Sequence, residues 1–170
     1  MSTEAIETNV ESLSIEEDSS PSFIISSIKK KHENNPAMFI NQNECKESAT
    51  FLHKYKTICD HSSNTLYIEA EVRFESLNTG SGPNETIVKV FEKYKAPGDI
   101  PAQYIAKKLG GDGYHRNLFV MNPQVDLTEL DNAQNLVYSH VEKGENRYAK
   151  MFFGITYEDP NAEEGKYFWR

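Results

Sequence analysis

At 170 residues, with 38% hydrophobic and 11% aromatic residues, the chain can bury the core of one globular domain, while a mean hydropathy of −0.65 leaves room for polar loops or a tail. The net charge of −8 is unevenly spread: Glu4, Glu7, Glu11, Glu16, Glu17 and Asp18 fall in the first twenty residues with no Lys or Arg, so the rest is close to neutral. This excludes a strongly basic nucleic-acid binder; no secretory apolar region or membrane-length apolar run is present, so the expectation is an intracellular protein, in cytoplasm or nucleus, with no membrane partner.

Residues 1–20, rich in Ser, Thr and Glu, read as a disordered acidic tail, and residues 21–170 as a single domain. From Pro21, the run FIISSIKKK forms a helix or a strand that ends before Asn34-Asn35-Pro36. Residues 43–58 suit a helix, with Ala49, Leu52, Tyr55 and Ile58 at helical spacing. After a polar turn, Leu66, Ile68, Ala70, Val72 and Phe74 alternate with polar residues, the cleanest strand signal in the chain. A Gly-Ser-Pro loop then leads to a second expected strand over residues 86–91 (TIVKVF), a hairpin partner of the first.

Beyond Pro97-Gly98 the segment reads GDIPAQYIAKKLGGDGYHRNLFVMNPQ. A strand over Tyr104, Ile105 and Ala106 precedes a turn at Gly110-Gly111, and a second apolar run follows, ending at Asn122, Pro123 and Gln124. A helix is expected over residues 127–143, with Leu130, Ala133, Val137 and Val141 on one face and Gly144 as its stop. A final strand covers residues 151–157, followed by an acidic, loop-like end carrying Tyr167-Phe168-Trp169. The order lacks a βαβ alternation, so the fold class is α+β with an antiparallel sheet.

In order and spacing, the stretch from Gly98-Asp99 through Tyr104-Ile105-Ala106, Gly110-Gly111, Asn117-Leu118-Phe119 and Pro123-Gln124 to the following helix resembles the DNA/RNA non-specific endonucleases, the ββα-metal or His-Me finger nucleases. The resemblance covers residues 98–160 and implies a strand–loop–strand–helix site for metal-dependent phosphodiester hydrolysis. The departures decide what survives. The family's general-base histidine falls on Gln103, whose neutral amide cannot take a proton from water near pH 7. The metal-binding asparagine falls on Asp126, which with Asn122 would supply oxygen ligands to Mg²⁺ if activity remains. The helical glutamate falls on Gln134. His115 is the nearest imidazole and the one candidate substitute base.

Lys107, Lys108 and Arg116, with Lys89, Lys93 and Lys95 upstream, would contact phosphates if this region binds nucleic acid. Gly110, Gly111 and Gly113 do not form a phosphate-binding GxxxxGK[ST] loop and read as a tight turn. Cys45, His53, Cys59 and His61 match no standard zinc spacing. Three readings remain: a catalytically impaired nuclease-like domain that binds nucleic acid or a protein partner; an active metal-dependent endonuclease; and an α+β interaction module unrelated to nucleases.

Overall fold

The computed structural model describes residues 21–32, 42–44, 51–59, 64–93 and 95–155; the acidic segment 1–20, the aromatic C-terminal end, Cys45 and His61 lie outside them. Among these residues the fold is an α+β arrangement of two antiparallel sheets and three α-helices. The larger sheet has strands in the order β1 (Gln42–Glu44), β2 (His53–Cys59), β3 (Thr65–Arg73) and β6 (Tyr148–Gly154). The smaller is a hairpin of β4 (Ile100–Gln103) and β5 (Leu118–Met121), paired from Ile100↔Met121 to Gln103↔Leu118. Helices α1 (Pro21–His32), α2 (Glu85–Phe91) and α3 (Thr128–Val141) complete the fold. Among the described residues no helix is long and apolar enough to cross a membrane.

β3 is the spine. It is paired on one side with β2 and on the other, from Tyr67 to Arg73, with β6, and seven of its nine residues are buried and the other two half-buried by packing on both faces. From Tyr67 onward alternation divides its side chains between two cores, while an irregularity in the pairing with β2 at Leu66 puts that residue with Tyr67. Ile68, Ala70 and Val72 join Leu52, Tyr55, Tyr104, Ile105, Leu109 and Val141 on the side of α3 and the hairpin. Leu66 and Tyr67 join Ile28 and Ile58, with Ile24, Ile25 and Phe152 packed alongside, on the side of α1. At about 25 cal/mol per Å² of apolar surface removed from water, such two-sided burial is the main source of the sheet's stability.

One charged residue interrupts this pattern. Glu71 is buried, with Arg73 Nε donating to its Oε1 at 2.6 Å and Lys54 Nζ to its Oε2 at 3.2 Å. The Arg73 hydrogen bond, opposed by desolvation and assisted by Lys54, holds its carboxyl below the usual carboxylate range.

Two expected elements take the opposite form. Residues 53–58 are strand, not helix. The apparent helical spacing arises from a bulge: Lys54 adopts φ +51°, and the register with β3 shifts between His53 and Lys56. The extra residue brings Leu52 and Tyr55 inward three apart, which imitates a helical turn. Residues 86–91 are helix, not strand. Asn84 caps α2 by accepting from the Thr86 amide at 2.9 Å, and both edges of β3 are already occupied, so no hairpin position is left for this segment.

Smaller shifts follow the same logic. The first strand of the hairpin ends at Gln103, and Tyr104 and Ile105 leave it to turn into the core rather than extend it. On α3 the inward face is Leu130, Gln134, Val137 and Val141; Ala133, expected there, is exposed. Strand β6 begins at Tyr148, three residues before its expected start.

Candidate functional site

The hairpin strands are joined by residues 104–117, a long connection that crosses the fold in two 3-10 turns, Lys107–Leu109 and His115–Asn117. Its shape depends on glycine. Gly110 has φ +97°, a left-handed conformation that L side chains resist. Gly111 and Gly113 are required for a different reason, since a Cβ on either would land in the Ile105 or the Gly82 carbonyl. The Gly-Gly element is thus a close-packed crossing of the 78–84 and 104–117 segments. Backbone bonds stitch the two: Asn78 N to Lys108 O at 2.8 Å, Ser81 N to Gly111 O at 3.1 Å and Asn84 N to Gly113 O at 2.9 Å.

Three amide side chains lock this crossing. Asn117 is fully buried; its Oδ1 accepts from Ile105 N, and its Nδ2 donates to Ile105 O and Asp112 O at 2.9 and 2.8 Å. Gln103, half-buried at the end of β4, spends its Nε2 on Ser81 O at 2.9 Å and Asp112 O at 2.8 Å. Gln134, buried on α3, accepts from Ala106 N at 2.6 Å and so docks the helix on the connection. Gln103 and Gln134, the two positions matched to catalytic side chains, are therefore both occupied with holding backbone. Asn117 was legible only as a motif letter; its role as the hub appears once Ile105 and Asp112 are brought beside it.

Gln103, Ala106, Lys107, Lys108 and Asn78 line an open depression of about 480 Å³. Lys107 is exposed; Lys108 is half-buried and donates to Asn135 Oδ1 on α3. Asn78, which sequence reasoning did not select, has φ +60°, and its Nδ2 donates to Tyr138 Oη at 2.9 Å. Its Asn-Thr-Gly context was a turn signal, but nothing local to it predicted proximity to Gln103.

The remaining candidates are elsewhere. Arg116 is directed to the large sheet, with Nη1 donating to Thr57 Oγ1 at 3.0 Å and its carbonyl accepting from Thr65 Oγ1, and it does not line the depression. His115, beside it, is exposed as a residue; partial desolvation of its ring, reinforced by the Arg116 charge, lowers its pKa below the ordinary histidine value. His115 does not line the depression either. Asn122 and Asp126 are exposed, and each turns its side chain onto its own backbone: Asn122 Oδ1 accepts from Gln124 N, and Asp126 Oδ1 from Thr128 N at 2.8 Å. The Thr128 bonds hold the Asp126 carboxyl below its usual range.

The two residues matched to metal ligands, Asn122 and Asp126, each accept a backbone amide of their own turn through Oδ1. Among the described residues no group of three or more His, Cys, Asp or Glu converges. Cys59 is buried near Thr65 Oγ1, and His53 pairs with Glu75 at 2.9 Å.

Compared with known proteins, the chain matches no family model, no curated protein and no solved structure.

Proposed function

We propose that this is a nuclease-like domain of the ββα-metal type that binds nucleic acid without cutting it. The observation that carries the reading is the state of Gln103. It ends the first strand of a hairpin that is followed directly by α3, the position matched to a general base, yet it is an amide with its nitrogen committed to two backbone carbonyls. A carboxamide in that bonding state neither accepts a proton from water nor frees its nitrogen for catalysis. Gln134, likewise neutral and committed to Ala106 N, supplies no carboxylate. What remains at the depression suits binding: Lys107 offers charge to a phosphate, and Gln103 Oε1 is an acceptor for a ribose hydroxyl or a base amine.

The test pairs a cleavage assay with a binding assay on the full chain. Plasmid and RNA incubated with Mg²⁺ or Mn²⁺ remain intact, while labelled single-stranded DNA or RNA binds at about 50 mM salt and weakens steeply toward about 200 mM. Lys107→Glu lowers the affinity by roughly tenfold, about 1.4 kcal/mol. Metal-dependent cleavage that His115→Ala abolishes would establish an active enzyme instead. Absence of binding to any nucleic acid at low salt removes the reading altogether.

A further inference from the structure

Helix α1 covers only part of its face of the larger sheet. Ile24 reaches Gly154, and Phe152 packs nearby with Tyr67 and Ile58. Toward the other end, the register sets Lys56 opposite Glu69, Lys150 opposite Glu71 and Tyr148 opposite Arg73, all on that same face. Lys54 joins them through its bond to Glu71. Glu69 accepts from Tyr67 Oη and stands against Lys56, so charge is balanced there. Around Glu71 it is not: Lys54, Arg73 and Lys150 set three positive charges against one negative, an excess of two. Glu75, next along the chain, is engaged by His53. The Glu71 side chain is 3% exposed, whereas Arg73 keeps 41% and Lys54 64%, so the carboxylate lies beneath and the cations above.

We propose that this cationic half-face binds single-stranded nucleic acid, with a phosphate among Lys54, Arg73 and Lys150 and a base stacked on Tyr148. Arg73 spends Nε and Nη2 on Glu71 Oε1, which fixes the guanidinium plane and leaves Nη1 for an outside acceptor. Lys150 is exposed and has no ion pair among the described residues. Lys54 holds φ +51° at the bulge, a conformation that costs an L residue energy, and from there its ammonium reaches Glu71. Bulges and strained residues of this kind re-aim side chains at ligand sites. Tyr148 is 52% exposed beside Arg73, and its ring is a surface that a base uses and an acidic peptide does not. From Arg73 the chain runs through Phe74–Ser76 to Asn78 on the depression, at most about 18 Å away, so a strand of several nucleotides reaches both. The ligand class rests on the nucleic-acid reading above, while the surface is separate from the depression.

Fluorescence anisotropy of the full chain with a labelled single-stranded DNA of about twelve nucleotides, at about 50 mM salt, tests this. Lys150→Glu lowers affinity roughly tenfold and flattens the slope of log affinity against log salt by about 0.7, the loss of one phosphate contact. Tyr148→Ser lowers affinity about fivefold without changing that slope, and Tyr148→Phe keeps the parent affinity. Lys143→Glu makes the same change of charge just past α3, which packs on the opposite side of the sheet, and moves affinity less than about threefold. In the unmodified protein, 5-bromouracil placed in the oligonucleotide photocouples to Tyr148, a readout that needs no variant. Affinity lost on Lys107→Glu but not on Lys150→Glu or Tyr148→Ser overturns this surface and leaves the depression standing. The reverse pattern keeps the surface and removes the depression. No binding to any single strand at low salt, or equal competition by a glutamate-rich peptide of the same charge, overturns the surface.

Discussion

The four-stranded sheet and the crossing of the 78–84 and 104–117 segments are stabilised by different physics. The sheet depends on apolar burial around Ile68, Ala70 and Val72, which is non-directional and tolerates small changes of shape. The crossing depends on three glycines without room for a Cβ and on amides that hold from one to three backbone groups each. Hydrogen bonds of that kind contribute modestly when made and cost much when one partner is removed. The lesson is that sensitivity to mutation in this molecule follows directionality of contact, not depth of burial alone.

Five substitutions would sharpen or break that contrast. The largest effect is expected for Gly111→Ala, whose methyl would collide with the Ile105 carbonyl; urea denaturation should show a loss of about 4 kcal/mol or no cooperative transition. Gly144→Ala, with nothing within 4 Å of the new Cβ, should change stability by less than about 0.5 kcal/mol. Next comes Asn117→Ala, which orphans Ile105 N and Ile105 O inside the fold, leaves Asp112 O with Gln103 Nε2 as its donor, and should cost about 3 kcal/mol. Ile68→Val, at an equally buried sheet position, should cost about 1 kcal/mol. If the two measured losses were equal, the division between directional and non-directional regions would fail.

The smallest effect concerns charge. Asp112 is buried, and desolvation raises its pKa against the bond from Tyr114 N. A carboxyl whose folded pKa exceeds its unfolded value binds its proton more readily in the folded state. Its penalty is therefore absent at pH below the unfolded value and grows as pH rises through the folded one. Asp112→Asn keeps the acceptor for Tyr114 N and removes the charge. Thermal melts should show a higher Tm than the parent at pH 7 and no difference near pH 3; a gain that persists unchanged at pH 3 would refute the electrostatic cause.

The sequence was most legible where one periodicity acted alone. β3 was read as a strand from its alternation and α3 as a helix from its 3.6-residue repeat, although Phe74 falls outside β3 and Ala133 does not face inward on α3. β2 was misread because its bulge at Lys54 converts a two-residue repeat into a three-residue step. α2 was misread because β-branched residues favour strands locally, whereas the Asn84 cap and the absence of a free edge on β3 are decided elsewhere. The depression was half legible. Gln103, Lys107 and Lys108 lie within one segment whose order was informative, but Asn78 arrives from another part of the chain through a left-handed turn. Arg116 could not be placed in advance, since its attachment to Thr57 joins residues far apart in sequence.

The pairing of β3 with β6 has a consequence for how the chain assembles. Arg73 meets Tyr148 and Tyr67 meets Gly154, so the hairpin, α2 and α3 are all threaded between two neighbouring strands. Closing so long a loop is entropically costly before any contact compensates, and topologies of this kind fold slowly. During synthesis the spine strand therefore waits with one row of amides and carbonyls uncovered until nearly the last described residues have emerged. A nascent chain stopped before Tyr148 carries an open template for pairing with its neighbours.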